Sequence, residues 1–440
     1  MFPNTGEHMK KFYHLLGMGG TGMSALAHIL HERGEIVSGH DLKETPRLNA
    51  VGIRSTSEIP HRSTVVYSSA ITNDHPHLVS ARQRGLPIMH RADLLKRLMD
   101  ERHALLVTGT HGKTSTSALL SWVLQSAGLD PTYAIGGIVK NLKKNGGLGA
   151  GPYFVAEADE SDGSFLNYFG KGAIVTNVER DHLDYWKTEA NIIEGFKQFI
   201  AQVKEPKFLF YCHDDPILRG MSPPGISYGR SGHLCLKRYE QDGTKMHLAL
   251  SFRGSTYHRV EISLIGEKNA LNALAVFGMA LQLGIDEAKI RTAFLSYKGV
   301  ERRLERIGEV ESIIFYDDYA HHPTEVCMTL SALKQSYRGR RLMVVFQPHR
   351  YTRIQTLDFS HSFDVADLVI ITDVYSGGEV PIKGVDGLSF KKSLQGDNAI
   401  YFNRKNLFEI FPKMLIPGDL VVFIGAGDIC EIGRKLMRMV

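Results

Sequence analysis

Short apolar runs recur along the chain, and each is followed by glycines or acids and then by a helical pattern. That alternation predicts α/β architecture with parallel sheets, since parallel strands need crossover helices and are buried on both faces. Three blocks separate. In the first, Phe12 to Leu16, Ile36 to Ser38 and Val65 to Tyr67 read as strands, and the pattern fades in the charged stretch Arg97 to His103. The second opens with Leu105 to Val107 and continues with Phe154 to Ala156 and Ala173 to Thr176. Its helix after Thr114 puts Leu119, Leu120, Val123, Leu124 and Ala127 on one face, and Gly128 can close it. Short strands with turns follow from Phe208 to Ile265, then a helix from Asn269 to Leu283, and a boundary falls near Ser296 to Gly299. The third block holds Ile313 to Tyr316, Leu342 to Phe346, Leu368 to Thr372 and Leu420 to Ile424, which read as the fully buried strands of a doubly wound sheet.

Composition adds bounds. A chain of 440 residues exceeds what one core organises, so several domains are expected. With 43% hydrophobic and 22% charged residues it reads as an ordinary soluble globular enzyme. A net charge of +5 suits anionic ligands, but no Lys/Arg run with interleaved aromatics suggests nucleic acid, and a mildly basic surface without a partner explains it equally. Cys212, Cys235, Cys327 and Cys430 form no CxxC pair, so neither a zinc ribbon nor a disulfide framework is expected. Met1 to Met9 reads as a loose extension without an apolar targeting core, and no segment is long enough to span a membrane. A cytoplasmic location is the expectation.

Candidate chemistry gathers where strands end. Thr108-Gly109-Thr110-His111-Gly112-Lys113-Thr114 lies between an apolar strand and an amphipathic helix, the placement of a phosphate-binding loop. Lys113 would neutralise phosphate oxygens and the Thr114 hydroxyl would sit on magnesium. The commoner loop has a glycine six residues before its lysine, and Val107 stands there instead, so this is a shortened variant; the bland alternative is a strand-to-helix turn with a surface lysine. A second loop, Gly17-Met18-Gly19-Gly20-Thr21-Gly22, fits G-x-G-x-x-G after a strand, with Asp41 at the end of the next strand as the residue for a ribose hydroxyl. A purely structural tight turn is its alternative.

Acids cluster in Glu157-Ala158-Asp159-Glu160-Ser161-Asp162 and in Asp181-His182-Leu183-Asp184, both after strands of the second block. Each alone reads as a solvated loop, but together they could meet the phosphate loop across one sheet edge and offer oxygen ligands to magnesium. In the third block Asp317 to Pro323 and Gln347 to Arg353 also follow strands. Adjacent His321 and His322 point to different sides of an extended chain, which disfavours zinc, whereas Arg350 and Arg353 can grip a carboxylate or phosphate unless they are merely solvated.

With these residues in view, the chain resembles the Mur ligases, bacterial enzymes that add amino acids to a UDP-linked peptidoglycan precursor. The matching stretches are GMGGTGMSALA from Gly17, VTGTHGKTST from Val107, FVAEADESDGSF from Phe154, TNVERDHLD from Thr176, DDYAHHPTEV from Asp317, FQPHRYTR from Phe346, ITDVYSGGE from Ile371 and GAGDI from Gly425, which together cover nearly the whole chain. The resemblance implies three domains: a Rossmann-like UDP-sugar domain over 1–102, a central P-loop ATPase-like domain over 103–297, and a Rossmann-like domain over 298–440 for the amino acid and part of ATP. It implies ATP and magnesium, with UDP-N-acetylmuramate and L-alanine as the other small-molecule substrates, and a monomer or weak homodimer.

By position, the resemblance assigns ATP to Gly109, Thr110, His111, Gly112, Lys113, Thr114, Asn269, Arg303 and Asp318. Catalysis falls to Lys113, Glu157 and His182, and the metal to Thr114, Glu157 and His182. The sugar nucleotide falls to Gly17, Gly19, Gly20, Thr21, Gly22, Asp41 and Ser69, and the substrate carboxylate and amino acid to Tyr319, His349, Arg350 and Arg353. Departures occur where Lys268 replaces a usual His, Ala320 a common Gly and Ser115 a frequent Thr. Three alternatives remain open: a relative that attaches a preformed tripeptide to the same sugar nucleotide, a nicotinamide-dependent oxidoreductase built on the first glycine loop, and a nucleotide-binding regulator without turnover.

Overall fold

The structure, a computed structural model, describes residues 10–440 except the side chain of Asp184; the extension expected over Met1 to Met9 lies outside the described residues. By compactness the chain falls into two units. One gathers the residues up to Lys237 with Leu250–Tyr257 and Leu271–Lys298, and the other gathers Arg238–Ala249, His258–Ala270 and Gly299–Val440.

The first unit contains two sheets. In one, the strands Arg54–Ser55, Ile36–His40, Phe12–Leu16, Ser63–Tyr67 and Ile88–His90 lie side by side, all parallel. The chain therefore reverses direction across the sheet beside Phe12–Leu16, and such a switch point leaves a crevice for a ligand at the carboxyl ends of the strands. The charged stretch where the sequence pattern fades holds the end of a helix, Arg91–Met99, a turn, and His103 at the start of the next strand. Leu94, Leu95, Leu98 and Met99 are buried there while Arg97 faces water, a 3.6-residue stripe hidden among charges.

In the other, ten-stranded sheet, seven neighbouring strands run Ile226–Gly229, Leu209–Cys212, Gly172–Val175, His103–Thr108, Tyr153–Glu157, Thr132–Val139 and Lys144–Gly147. All these pairings are parallel except the last, an antiparallel hairpin. Gly172–Val175 is wholly buried, as a strand covered on both faces must be. The hairpin also seats the helix Thr21–Glu32 that follows the first glycine loop. Asn145 Nδ2 donates to Thr21 O at 2.6 Å and to Ser24 Oγ at 2.9 Å, and Gly146 lies so close that a Cβ on it would sit 2.3 Å from Ala25 O.

The second unit is built on a sheet ordered Glu305–Val310, Ile313–Asp318, Leu420–Ile424, Leu342–Phe346, Leu368–Ile371, Ala399–Tyr401, parallel but for its first strand. Its strands bury both faces, with Ile314, Val344 and Val422 packed on one side and Phe315, Val345 and Phe423 on the other. Among the described residues no helix is long and apolar enough to cross a membrane, and all four cysteines are free.

Candidate functional site

The phosphate loop joins His103–Thr108 to the helix Lys113–Ser126. Gly109 turns at φ 128°, and a Cβ there would lie 2.1 Å from Thr176 Oγ1, so only glycine fits. The neighbouring strand end holds the loop open. Thr110 N–H donates to Asn177 O at 3.1 Å, His111 N–H to Asn177 Oδ1 at 2.9 Å, and His111 O accepts from Asn177 Nδ2 at 2.9 Å and Thr176 Oγ1 at 2.6 Å. No side chain caps the helix start at Gly112, whose φ is 85°. Asn272 lies against it, its amide within 3.2 Å of where a Cβ would stand.

Lys113 Nζ donates to Gly109 O at 2.9 Å, to Thr110 O at 3.3 Å, and to both Glu160 oxygens at 2.8 and 2.9 Å. Burial works against its charge, but Glu160 and Asp159 outweigh that and push its pKa up, so the lysine stays protonated. Glu157, at the end of Tyr153–Glu157, accepts from the Thr114 hydroxyl at 3.2 Å, Ser117 Oγ at 3.1 Å and Gly136 N–H at 2.6 Å. A Cβ on Gly136 would stand 2.7 Å from Glu157 Oε2. Of the expected metal residues, Thr114 and Glu157 therefore meet directly. His182, in a left-handed conformation at φ 52°, stands instead beside Asp181 at 3.5 Å and Glu160 at 3.9 Å.

Around the first glycine loop, Gly17 N–H donates to His40 O at 2.8 Å, and the helix begins at Gly20 without a side-chain cap. Asp41 closes the loop onto the chain itself: one oxygen accepts from Gly19 N–H at 2.8 Å, the other from Lys43 N–H at 2.9 Å. Ser69 donates to Asp162, which also pairs with Arg91 at 3.3 Å. Although burial opposes it, the Ser164, Ser69 and Arg91 contacts hold the Asp162 carboxyl down at about 2. Arg91 Nη1 reaches to 3.3 Å from where a Cβ on Gly22 would be, so one ion pair links this loop with the acid segment of the phosphate site.

In the second unit, Arg353 Nη1 lies 3.2 Å from His349 Nδ1, and His349 stacks on Tyr375 with centroids 5.7 Å apart. Burial, His321, Arg353 and Arg350 push His349 down to about 3, leaving a neutral ring. His321 packs against both Tyr319 and His349, at 5.4 and 5.9 Å. Arg350, at φ 65°, donates its N–H to Tyr375 O at 2.9 Å. Tyr319, His349, Arg350 and Arg353 thus form one patch. Asp318 is turned inward, its carboxylate accepting from Leu304 N–H, Ala320 N–H and Thr329 Oγ1 at 2.6, 2.8 and 3.2 Å. Arg303 lies over the Tyr319 ring at 4.9 Å, and Asn269 donates to Ile265 O at 2.9 Å. Glu160, Asn177 and Tyr375 lie in motif stretches the sequence marks but to which it gives no individual role, and Gly136, Asn272 and Arg91 lie outside them. Of these three only Gly136 carries a signal, a glycine inside a strand, which marks close approach.

A lysine-bearing loop with an acid on its threonine, and a second glycine loop on a separate parallel sheet, define an α/β protein with two glycine loops of the kind that face phosphate groups. Residues 12–103 match the Mur ligase family catalytic domain, 107–280 the Mur ligase middle domain, and 302–427 the Mur ligase glutamate ligase domain. The chain is 40% identical to a UDP-N-acetylmuramate–L-alanine ligase of Protochlamydia amoebophila, over 98% of each chain. It superposes with TM-score 0.83 on the crystal structure of the UDP-N-acetylmuramate–alanine ligase of Thermotoga maritima, at 28% identity over 97% and 98% of the two chains. A murein peptide ligase of Psychrobacter arcticus shares the fold at TM-score 0.70 and 23% identity, over 97% and 98%. The chain belongs to the Mur ligase family.

Proposed function

We propose that this chain joins L-alanine to the lactyl carboxylate of UDP-N-acetylmuramate at the expense of ATP, in peptidoglycan synthesis and in the cytoplasm. One observation carries the chemistry: a single sheet edge brings the Lys113 ammonium, the Thr114 hydroxyl and the Glu157 carboxylate together, an arrangement suited to phosphoryl transfer and of no use to hydride transfer. The choice of substrates within the family follows the full-length likeness to the Protochlamydia enzyme. Residues 1–102 would hold the sugar nucleotide on the Gly17 to Gly22 loop, 103–297 the triphosphate, and 298–440 the amino acid with Asn269 and Arg303 adding to the ATP site.

The muramyl carboxylate attacks the γ-phosphorus in line, the bond to the bridging oxygen breaks, and ADP leaves with that electron pair. Lys113, held charged inside its own loop, stabilises the charge spreading over the transferred group. The amine of L-alanine then attacks the acyl phosphate carbonyl, loses a proton, and phosphate departs as the amide forms. Arg350 and Arg353 suit the alanine carboxylate, since a planar fork binds it without competing for the amine. His349, left neutral by its burial, meets the Arg353 guanidinium through Nδ1 at 3.2 Å. The oxygen donors of Thr114 and Glu157, with His182 beside Glu160 and Asp181, fit magnesium, which when bound would supply positive charge to the phosphates.

The test is phosphate release from ATP with UDP-N-acetylmuramate against a panel of L-alanine, glycine, L-serine and the preformed tripeptide. Turnover fastest with L-alanine supports the reading. Turnover with the tripeptide alone, or none without a nicotinamide cofactor, refutes it.

A further inference from the structure

Arg302 and Leu304 hold left-handed backbone at φ 60° and 44°, which side-chain-bearing residues adopt only where their surroundings impose it. Three consecutive residues at the end of Ile313–Asp318 and just beyond impose it here. Tyr319 N–H donates to Arg302 O at 2.7 Å, and Asp318 Oδ2 accepts from Leu304 N–H at 2.6 Å. Asp317 Oδ2 lies 3.9 Å from Arg302 Nε, while Arg302 Nη2 donates to Gly425 O at 2.7 Å and Gly427 O at 3.0 Å. Both Arg302 and Arg303 then lie over the Tyr319 ring, at 4.8 and 4.9 Å from its centre.

Asp317 is the member without an evident structural use. It is fully buried, yet neither oxygen accepts a hydrogen bond. Around it stand Arg302, Glu305, Asp318, and from the helix Ile429–Met437 the guanidinium of Arg434 at 3.9 Å and the Cys430 thiol. A buried carboxylate without hydrogen bonds is costly, and an apolar residue would pack the spot more cheaply. What the charge does supply is a pull on Arg302 that leaves its Nη2 hydrogens for the carbonyls of Gly425 and Gly427.

We propose that Asp317 and Arg302 are positioning residues that fix the pose of the Arg303 guanidinium on which its phosphate contact depends. This rests on the reading of Arg303 as a phosphate contact. Asp317 draws in Arg302, Arg302 fixes the left-handed segment and one contact of Tyr319, and the segment sets Arg303 over the Tyr319 ring with its Nη1 3.9 Å from Glu325. Burial pushes the Asp317 carboxyl up to about 7 although Arg302 opposes it. As pH falls through that value the pull on Arg302 is lost and ATP kinetics weaken. The stability sign is opposite. A raised carboxylate pKa favours the folded state most below the ordinary carboxylate range, and that contribution is lost as pH rises through about 7.

A double-mutant cycle of Asp317→Asn and Arg303→Ala, read as kcat/KM for ATP, is the experiment. Asp317→Asn should lose about ten- to a hundredfold, as misaimed catalytic groups do. The double variant should be no worse than Arg303→Ala alone, and the acid limb of the ATP pH profile near 7 should flatten. Asp317→Asn should melt no lower than the parent at pH 8. Arg302→Lys, which keeps charge but not the fork, provides a second variant with the same expected pattern. Losses that multiply in the double variant, or a lowered melting point with the same loss at every pH, overturn the inference. Unchanged ATP kinetics in Arg303→Ala would remove the reading beneath it as well, so the two failures are distinguishable.

Discussion

Two glycine loops start two helices after parallel strands of two sheets in the same unit, and they are built differently. The loop at Gly17 to Gly22 is shaped by one acid, Asp41, and offers backbone N–H groups and a helix start with no lysine of its own. The loop at Thr108 to Thr114 is braced by Thr176 and Asn177 and places a protonated lysine among Glu160 and two of its own carbonyls. Backbone donors and a helix dipole suffice to bind a diphosphate that does not react. Moving a phosphoryl group needs charge fixed in advance where charge develops. The difference fits the proposed division of labour, in which the first loop holds a diphosphate and the second serves the phosphoryl transfer.

The largest effect expected is that of Lys113→Ala. It should lose turnover, with a cost of about 1.5–3 kcal/mol in ATP binding and more in the transition state. Calorimetry should find UDP-N-acetylmuramate affinity unchanged; an equal loss of both affinities would break the contrast between loops. Gly136→Ala comes next, because its methyl would meet Glu157 Oε2 at 2.7 Å and push the carboxylate off Thr114. A fall of about a hundredfold in kcat at saturating ATP is expected, with the sugar-nucleotide KM untouched. Gly19→Val acts on the other loop, where a Cβ meets Asp41 Oδ2 at 3.0 Å and Thr45 Cγ2 at 3.1 Å. It should raise the sugar-nucleotide KM about tenfold and leave the ATP KM alone. A shift in both constants would mean that the loops do not work separately.

Asp162→Asn should have the smallest effect. Asp162 titrates near 2 in the folded chain, so the stability it contributes is present above the ordinary carboxylate range and is lost as pH falls toward 2. A loss of about 1 kcal/mol is expected by thermal melting at pH 7, shrinking toward nothing near pH 2. A constant loss at all pH would show that the carboxylate's contacts with Ser164, Ser69 and Arg91 are not its source.

Much of this was legible along the chain, because a strand, a glycine turn and a helix are contiguous in sequence. The strands Phe12–Leu16, Leu342–Phe346 and Leu420–Ile424 fall where the apolar runs put them, and the helix after Gly112 has the face its periodicity predicts. What was not legible depends on which strands become neighbours. Asn177 braces the phosphate loop only because Gly172–Val175 pairs with His103–Thr108, and Gly136 meets Glu157 only because Thr132–Val139 lies beside Tyr153–Glu157. Within DESD no spacing rule distinguishes Glu160, which turns in to Lys113, from Asp162, which turns away to Arg91 and Ser69. The helix Arg91–Met99 was missed because charged residues interrupt its stripe.

Simultaneous occupancy tests the central claim most directly. Titrating UDP-N-acetylmuramate calorimetrically into the protein saturated with a non-hydrolysable ATP analogue should give one site per chain, with affinity as high as in its absence, weakened about tenfold in Gly19→Val but kept in Lys113→Ala. Displacement of one nucleotide by the other would mean a single site, and would contradict the account.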